Sequence, residues 1–152
     1  MTPDEPTVRP MTEADVAAVT RIESRVFPNP WSAETFASLI DRSSSGARLW
    51  VVESATAGVM GYAVLWCILD QGELANIAVA PERRGEGHAV RLLRHALDDA
   101  KELGVETVYL EVRRSNARAA ELYRGFGFED VGIRRGYYTR PREDAHVMRA
   151  TL

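Results

Sequence analysis

The chain has 152 residues, of which 45% are apolar and 27% are charged, and its formal net charge at pH 7 is −3. This length predicts a single domain over residues 1–152 with one substantial core, in which residues 1–6 form a flexible tail. The acidic balance argues against a general affinity for nucleic acid, because such affinity requires a basic surface. The sequence has no apolar run long enough to span a membrane and no secretory segment at its start, so we expect a cytoplasmic protein.

Helical and extended patterns alternate in the first half of the chain. Thr12 is suited to cap a helix whose apolar residues recur at every third or fourth position up to Val26. Residues 27–30 interrupt that helix, and a turn near Gly58 predicts a hairpin. The elements predicted here are strand 7–10, the helix after Thr12, a short helix from Ser32 that carries Phe36, Leu39 and Ile40, a loop at 43–46, and strands 49–54, 59–69 and 72–79.

The second half contains a strand–helix–strand succession. Apolar residues recur at helical spacing from Gly87 to Leu103, and Gly104 is suited to end that helix. Two strands joined by a helix predict a right-handed crossover of parallel strands. The predicted fold class is therefore α+β (mixed α/β), with an antiparallel first half and one parallel crossover. The remaining predicted elements are strand 107–112, helix 116–125, and strands 128–135 and 145–150 joined by a long polar loop.

Cysteine and histidine are too sparse to predict disulfide or metal chemistry. The single Cys67 lies in the apolar run 62–69, which predicts a buried, inert thiol in a reducing compartment. His88 and His95 are seven residues apart on a predicted helix without a third ligand, and His146 stands alone. We therefore expect no metal site, and no histidine pattern supports a cysteine or serine nucleophile.

The most informative segment is a tight turn between the apolar strand and the long helix. It reads Arg84-Gly85-Glu86-Gly87-His88-Ala89. Glycines allow the backbone to approach an anion closely, and the unpaired N–H groups and dipole of a helix N-terminus favour negative charge. The segment therefore predicts a phosphate-binding turn, although many strand-to-helix turns with two glycines bind no ligand.

Two further residues are candidates for chemistry. Glu111 stands inside an apolar strand, where a carboxylate is costly unless it is paired or functional. The alternative for Glu111 is an ion pair with a nearby arginine such as Arg113. Tyr123 follows Asn116 by seven residues, which places both on one helical face, and the alternative for Tyr123 is a core aromatic. Asn116 is itself suited to be a helix N-cap.

Together these segments resemble the GNAT superfamily of acyl-CoA-dependent N-acyltransferases. The turn at 84–89 is similar to its pyrophosphate-binding turn, and Asn116, Tyr123 and the pair Gly127-Phe128 are similar to its Asn…Tyr…Gly-Phe segment. Within the superfamily, the segments 27–32, 110–116, 134–138 and 142–145 resemble the RimI-like branch. Members of that branch acetylate the N-terminal alanine of a small-subunit ribosomal protein. The similarity runs roughly from Val8 to Met148.

The resemblance implies a fold and a reaction. The fold is a central, mostly antiparallel, twisted sheet of about six or seven strands, with one parallel crossover and about four flanking helices. The reaction is direct transfer of acetyl from acetyl-CoA, without a metal, to the α-amine of an N-terminal alanine within a ternary complex. The partner is then a protein N-terminus, with a ribosomal protein as the expected source. We expect a monomer that contacts neither membrane nor nucleic acid.

The resemblance also implies roles for individual residues. Glu111 is the general base, and Tyr123 is the acid that protonates or hydrogen-bonds the departing sulfur. Because His88 and Gly85 depart from the residues usual in relatives, the phosphate contact is expected to depend more on Arg83 and Arg84. Residues implied to bind the cofactor are Ile77, Ala78, Val79, Arg84, Gly85, Glu86, Gly87, His88, Ala89, Asn116 and Tyr123; those implied to bind the acceptor are Glu23, Trp31, Tyr137 and Tyr138. Packing alone is the alternative for Ile77, Val79, Trp31 and Glu23.

Two other functions remain open on the sequence. One is an N-acetyltransferase of a small amine, such as a polyamine or an aminoglycoside. The arginines at 134, 135, 140 and 142 argue against a polycationic acceptor, although such a run is more often a solvated loop and otherwise suits an acidic or RNA-bearing partner. The other is a non-catalytic acyl-CoA-binding regulatory module, against which the presence of both Glu111 and Tyr123 argues.

Overall fold

The structure is a computed structural model that describes residues 4–41 and 46–152. Its strands are β1 (Thr7–Pro10), β2 (Ala47–Ser54), β3 (Gly58–Ile68), β4 (Gln71–Val79), β5 (Thr107–Arg113), β6 (Glu129–Tyr138) and β7 (Glu143–Thr151); its helices are α1 (Val16–Val26), α2 (Ala33–Asp41), α3 (His88–Glu102) and α4 (Ala117–Gly125). The strands form one sheet in the order β1-β2-β3-β4-β5-β7-β6. Neighbouring strands are antiparallel except β4 and β5, which are parallel. The predicted α+β class, with a mostly antiparallel sheet and one parallel crossover, is confirmed.

Most predicted elements form, with ends displaced by one or two residues. The helix predicted after Thr12 begins with a 3-10 turn at Glu13–Asp15 before α1. The Asp15 carboxylate accepts a hydrogen bond from the Thr12 backbone N–H at 2.8 Å, which satisfies a group at this helix start. Two other predictions lie partly outside the described residues: the tail at 1–6, of which 1–3 are not described, and the loop at 43–46, of which 43–45 are not described.

The long polar loop predicted before the last strand is wrong. Strand β6 continues to Tyr138 and β7 begins at Glu143, so a four-residue turn joins them. The pairing is irregular between Arg134 and Tyr138, where the Gly136 N–H donates to the Asp144 carboxylate at 2.8 Å. Strand β6 is an edge strand with mostly exposed side chains. Its sequence therefore lacks the alternation of apolar and polar residues by which a half-buried strand is recognised.

The sheet is covered by helices on both faces. On the α3/α4 face, Leu93 packs with Leu110 of β5 and Met148 of β7. On the α1/α2 face, Phe36 packs with Val64 of β3. Successive side chains of a strand point to opposite faces, so these contacts fix which residues of each strand face which helices. Among the described residues no helix is both long and apolar enough to cross a bilayer.

The feature that positions the site is the separation of β4 from β5. The two strands pair over three residue pairs only, the last of which joins Glu73 to Tyr109. Beyond that pair, in the described chain, residues 74–79 and 110–113 have no pairing with each other. Strand β4 also carries a bulge at Ala75, since its pairing with β3 skips this residue. The diverging strands leave a cleft within the sheet.

Candidate active site

A cleft of about 730 Å³ occupies the space between the diverging strands. Its walls come from β4, β5, the turn before α3, the start of α4 and the loop after α1. Because α4 lies on one face of the sheet and α1 on the other, the cleft is lined from both faces. A ligand in it can therefore meet side chains that approach from opposite directions.

The predicted phosphate-binding turn forms the end of the cleft at the start of α3. Gly85 and Gly87 have φ values of 82° and 85°, in the left-handed region that glycine adopts without strain. Gly87 is the N-cap of α3, so the first N–H groups of this helix have no partner within the helix. Arg83 and Arg84 line the cleft beside the turn. Backbone donors and cationic side chains thus meet where an anion would sit.

His88 is a buried structural residue of this turn, with 4% of its surface exposed. Its Nδ1 lies 3.2 Å from Arg91 Nη1, and its Nε2 lies 2.9 Å from the Glu86 carboxylate. An arginine can only donate, so Nδ1 accepts and Nε2 carries the proton given to Glu86. The Glu86 carboxylate is thereby engaged within the turn, and Glu86 is the one member of the predicted set 84–89 that does not line the cleft.

Glu111 lines the cleft from β5 and points to the α1/α2 face, opposite to Leu110. Its side chain is 15% exposed, and Oε1 lies 3.5 Å from Arg134 Nε. Burial, reinforced by the nearby Glu73 carboxylate, raises the pKa of Glu111 above its usual range, while Arg134 opposes that rise. The ion pair with an arginine, which was the alternative for Glu111, thus forms with Arg134 and not with Arg113, whose Nη1 lies 3.2 Å from the Glu143 carboxylate.

Tyr123 lines the same cleft from α4, on the α3/α4 face. It is 7% exposed and packs edge-on against Phe128, with ring centroids 5.9 Å apart. Burial raises the pKa of the Tyr123 hydroxyl, so the group stays protonated and able to donate. Tyr123 is therefore both a core aromatic and a cleft residue. Asn116 caps α4 by accepting the Ala119 N–H at 3.2 Å, and it also lines the cleft.

The remaining predicted cofactor residues lie on the free edge of β4. Ile77, Ala78 and Val79 line the cleft. At these residues β4 pairs with β3 along one edge, and the edge that faces β5 has no strand partner among the described residues. Ile77 also packs against the core on the α3/α4 face, and Ala78 belongs to the core on the α1/α2 face. Packing and exposure to the cleft therefore coincide at these residues.

The loop after α1 forms the wall of the cleft on the α1/α2 face and is anchored at two points. Glu23, which is 1% exposed, accepts the Trp31 backbone N–H at 2.9 Å. At the tip, Asn29 donates to the Thr139 carbonyl at 3.1 Å, which joins the loop to the turn between β6 and β7. Glu23 and Trp31 both line the cleft. The loop thus bridges one side of the cleft entrance.

The predicted tyrosine pair divides between cleft and surface. Tyr138 lines the cleft, and burial raises its pKa to about 12. Tyr137 is 47% exposed and does not line the cleft; it packs edge-on against Tyr138 at 5.0 Å and beneath Arg134. Sequence reasoning missed Asn76 of β4, which also lines the cleft. The argument applied to Glu111, a polar residue inside an apolar strand, would have identified it.

Comparison with known proteins agrees with this geometry. The family described as Acetyltransferase (GNAT) family matches residues 16–128, which is most of the chain. The chain belongs to the GNAT acetyltransferase family. This match, together with the relatives described next, confirms the predicted resemblance including its RimI-like branch, and the protein is an acetyl-transferring enzyme.

Individual GNAT relatives cover nearly the whole chain. The [ribosomal protein bS18]-alanine N-acetyltransferase of Escherichia coli K12 is 39% identical over 145 residues, 93% of this chain and 95% of the relative. A putative enzyme of the same name from Bacillus subtilis is 36% identical over 95% of both chains. The crystal structure of the ribosomal-protein-S18-alanine N-acetyltransferase from Escherichia coli superposes with a TM-score of 0.88 at 35% identity, covering 97% of this chain and 94% of that one.

Proposed function

We propose that the protein transfers the acetyl group of acetyl-CoA to the α-amine of an N-terminal alanine on a ribosomal protein of the bS18 type. The likeness to enzymes named for that activity supports the substrate. The observation that carries the chemistry is the placement of Glu111 and Tyr123 on opposite faces of the sheet in one cleft. Such a pair can remove a proton on one side of a reacting centre and supply one on the other.

The residues of the cleft fit acetyl-CoA. The turn at Gly85 and Gly87 offers backbone N–H groups and adjacent arginines to a pyrophosphate, and the free edge of residues 77–79 offers backbone groups to an extended pantetheine chain. Asn116 lines the same wall. When bound, acetyl-CoA supplies a thioester as the acyl donor. Within residues 4–41 and 46–152, no three potential metal ligands come together, and the proposal uses none.

The two ionisable side chains divide the proton transfers. An N-terminal amine has a pKa near 8, so at neutral pH it must lose a proton before it can attack a carbonyl. In the proposed reaction Glu111 takes that proton, directly or through one water, and its raised pKa brings its basicity closer to the working pH. In the same reaction Tyr123 donates a hydrogen bond or proton to the leaving sulfur. Transfer is then direct from donor to acceptor.

The acceptor is proposed to enter from the α1/α2 face. Glu111 points to that face, and the loop that carries Trp31 lies on the same side. Tyr138 borders the cleft at the end of β6. The phosphate-binding turn precedes α3, which lies on the opposite face, and the donor is proposed to bind there. Donor and acceptor can then occupy the cleft at the same time.

The proposal is tested by measuring CoA release with acetyl-CoA and three acceptors. These are a hexapeptide beginning with Ala, the same peptide blocked at its N-terminus, and spermidine. We expect turnover with the free peptide alone. Turnover of spermidine, or of the blocked peptide through a side chain, would contradict the proposal and favour a small-amine or side-chain acetyltransferase. Absence of turnover on the peptide and on intact ribosomal protein, with acetyl-CoA still bound, would favour the non-catalytic alternative.

A further inference from the structure

Asn76 and Glu23 form a hydrogen-bonded unit in the acceptor wall of the cleft. The Asn76 amide nitrogen donates to Glu23 Oε1 at 2.7 Å, and the Tyr62 hydroxyl donates to the same oxygen. The other carboxylate oxygen accepts the Trp31 backbone N–H at 2.9 Å. One buried carboxylate thus receives donors from β3, from β4 and from the loop after α1.

The chemistry of these groups fixes the orientation of the Asn76 amide. A carboxylate oxygen accepts hydrogen bonds, so the group that Asn76 presents to Glu23 Oε1 at 2.7 Å is its NH₂. Its carbonyl oxygen, Oδ1, is therefore turned away from Glu23. Among the hydrogen bonds of the described residues, none involves Oδ1, and the residue is partly exposed where it lines the cleft.

Asn76 also lies on the side of the sheet that the acceptor is proposed to use. It pairs with Val64, whose side chain belongs to the core on the α1/α2 face. Glu111, across the opening between β4 and β5, points to the same face. An unpaired hydrogen-bond acceptor and the general base therefore border the same part of the cleft from two diverging strands.

We propose that Asn76 Oδ1 accepts a hydrogen bond from the N-terminal amine of the acceptor, and that Glu23 is the positioning residue that holds this oxygen toward the cleft. The proposal rests on the function proposed above. A neutral amine has N–H groups to donate and a lone pair for the carbonyl. When Asn76 accepts one N–H, it holds the amine beside Glu111 both before and during the transfer, and the lone pair left by the proton that Glu111 takes is free to attack the thioester carbonyl.

Two variants test the contact. Asn76→Ala removes the oxygen. Glu23→Gln reverses the Asn76 amide, because the Trp31 N–H takes the oxygen of the new Gln side chain as its acceptor. The NH₂ of Gln then faces Asn76, which must turn its own oxygen toward it and away from the cleft. Loss of one such hydrogen bond is expected to raise the KM for the peptide about tenfold. The KM for acetyl-CoA and kcat are expected to stay within about twofold, since binding of the ground state and of the transition state is weakened alike.

A matched control separates this contact from a general loss of stability. Asp15→Asn makes the same carboxylate-to-amide change at a buried residue before the opposite end of α1, where the partner is Arg9 at 2.8 Å. We expect Asp15→Asn to lower the melting temperature and to leave the peptide KM within about twofold. The proposal is overturned if Asn76→Ala leaves the peptide KM within twofold, or if Asp15→Asn raises it as much as Glu23→Gln does.

The unaltered enzyme is measured first, so that the two proposals fail separately. Absence of turnover with the free peptide contradicts the proposed function itself. Turnover by the unaltered enzyme, with an unchanged peptide KM in Asn76→Ala, contradicts only the contact at Asn76.

Discussion

At the scale of single residues, burial raises the pKa of Glu111, and two charged neighbours of opposite sign adjust it further. Glu73 precedes the point where β4 leaves β5, and its charge raises the pKa of Glu111; Arg134 lies 3.5 Å from the carboxylate and lowers it. Arg134 is 60% exposed at its side chain, so its influence is screened by solvent and salt. The proposed base Glu111 thus has a pKa that responds to substitutions of residues that touch neither substrate.

The pH dependence of kcat/KM should reveal these two neighbours. Activity falls with slope one below the amine pKa of about 8, and with slope two once Glu111 is also protonated. Glu73→Gln removes a charge that raises the pKa of Glu111, so the second break, at which the slope changes from one to two, moves to lower pH. Removing Arg134 as Arg134→Gln moves it to higher pH. Both displacements should shrink in 1 M salt, and Glu111→Gln should abolish the break; two displacements of the same sign would contradict the assignment.

Tyr123 is the second residue whose role is separable from its packing. Tyr123→Phe keeps the edge-on contact with Phe128 and removes only the hydroxyl. We expect turnover to fall by about a hundredfold, the range typical for loss of a positioned acid, with acetyl-CoA binding unchanged. Single-turnover rates and equilibrium binding of CoA measure the two effects separately. A variant with full turnover would leave Tyr123 as a core aromatic and require another proton donor.

At the scale of elements, the spacing of β3 and β4 sets the free edge of the cleft. A Cβ built at Gly61 of β3 would lie 2.7 Å from the Ala78 carbonyl oxygen of β4, a backbone atom that cannot turn aside. Gly61→Ala should therefore displace the β4 edge that lines the cleft. We expect the KM for acetyl-CoA to rise and the free energy of unfolding to fall by about 1–3 kcal/mol.

A control for Gly61→Ala is available on the edge strand β6. A Cβ at Gly132 would meet nothing within 4 Å, so Gly132→Ala changes a strand glycine without displacing a neighbour. Urea unfolding and acetyl-CoA kinetics are measured on both variants, and we expect a loss of stability and a higher KM for acetyl-CoA in Gly61→Ala alone. Equal effects of the two substitutions would show that strand geometry, and not the approach to Ala78, is responsible.

The elements were largely predictable, whereas the relations among them were not. Helix α3 was predictable because its apolar residues repeat at helical spacing between a glycine turn and Gly104. Strand β6 was predicted too short because an exposed edge strand has no alternating pattern to mark its end. The bulge at Ala75 and the separation of β4 from β5 depend on pairing between distant residues, which local patterns do not encode.

The same distinction holds within the site. Glu111 was found because a carboxylate inside an apolar strand is conspicuous, but its neighbour Arg134 lies on a strand 23 positions later in the chain, and only the sheet brings them together. Glu23 was predicted as an acceptor residue, and the structure adds what sequence alone gave no means of seeing: both carboxylate oxygens are engaged by groups of the protein. Its role in binding stays a proposal.

At the scale of the whole molecule, the cleft is lined from both faces of the sheet, and we propose that each face serves a different substrate. The phosphate-binding turn and Tyr123 belong to the α3/α4 side, and Glu111 and the loop of Trp31 belong to the α1/α2 side. Both substrates can therefore be bound at once. The free thiol Cys67 lies on β3, outside the residues that line the cleft, and burial raises its pKa, which disfavours the reactive thiolate.

This arrangement predicts a sequential mechanism without an acetylated enzyme. Double-reciprocal plots against acetyl-CoA, at several fixed peptide concentrations, should intersect rather than run parallel, because no product leaves before both substrates are bound. Labelled CoA should not exchange into acetyl-CoA when the peptide is absent, and Cys67→Ala should keep turnover within about twofold of the unaltered enzyme. Parallel plots with exchange that depends on Cys67 would instead require the acetyl group to pass through the protein, and the two-faced cleft would then have to bind its substrates in turn.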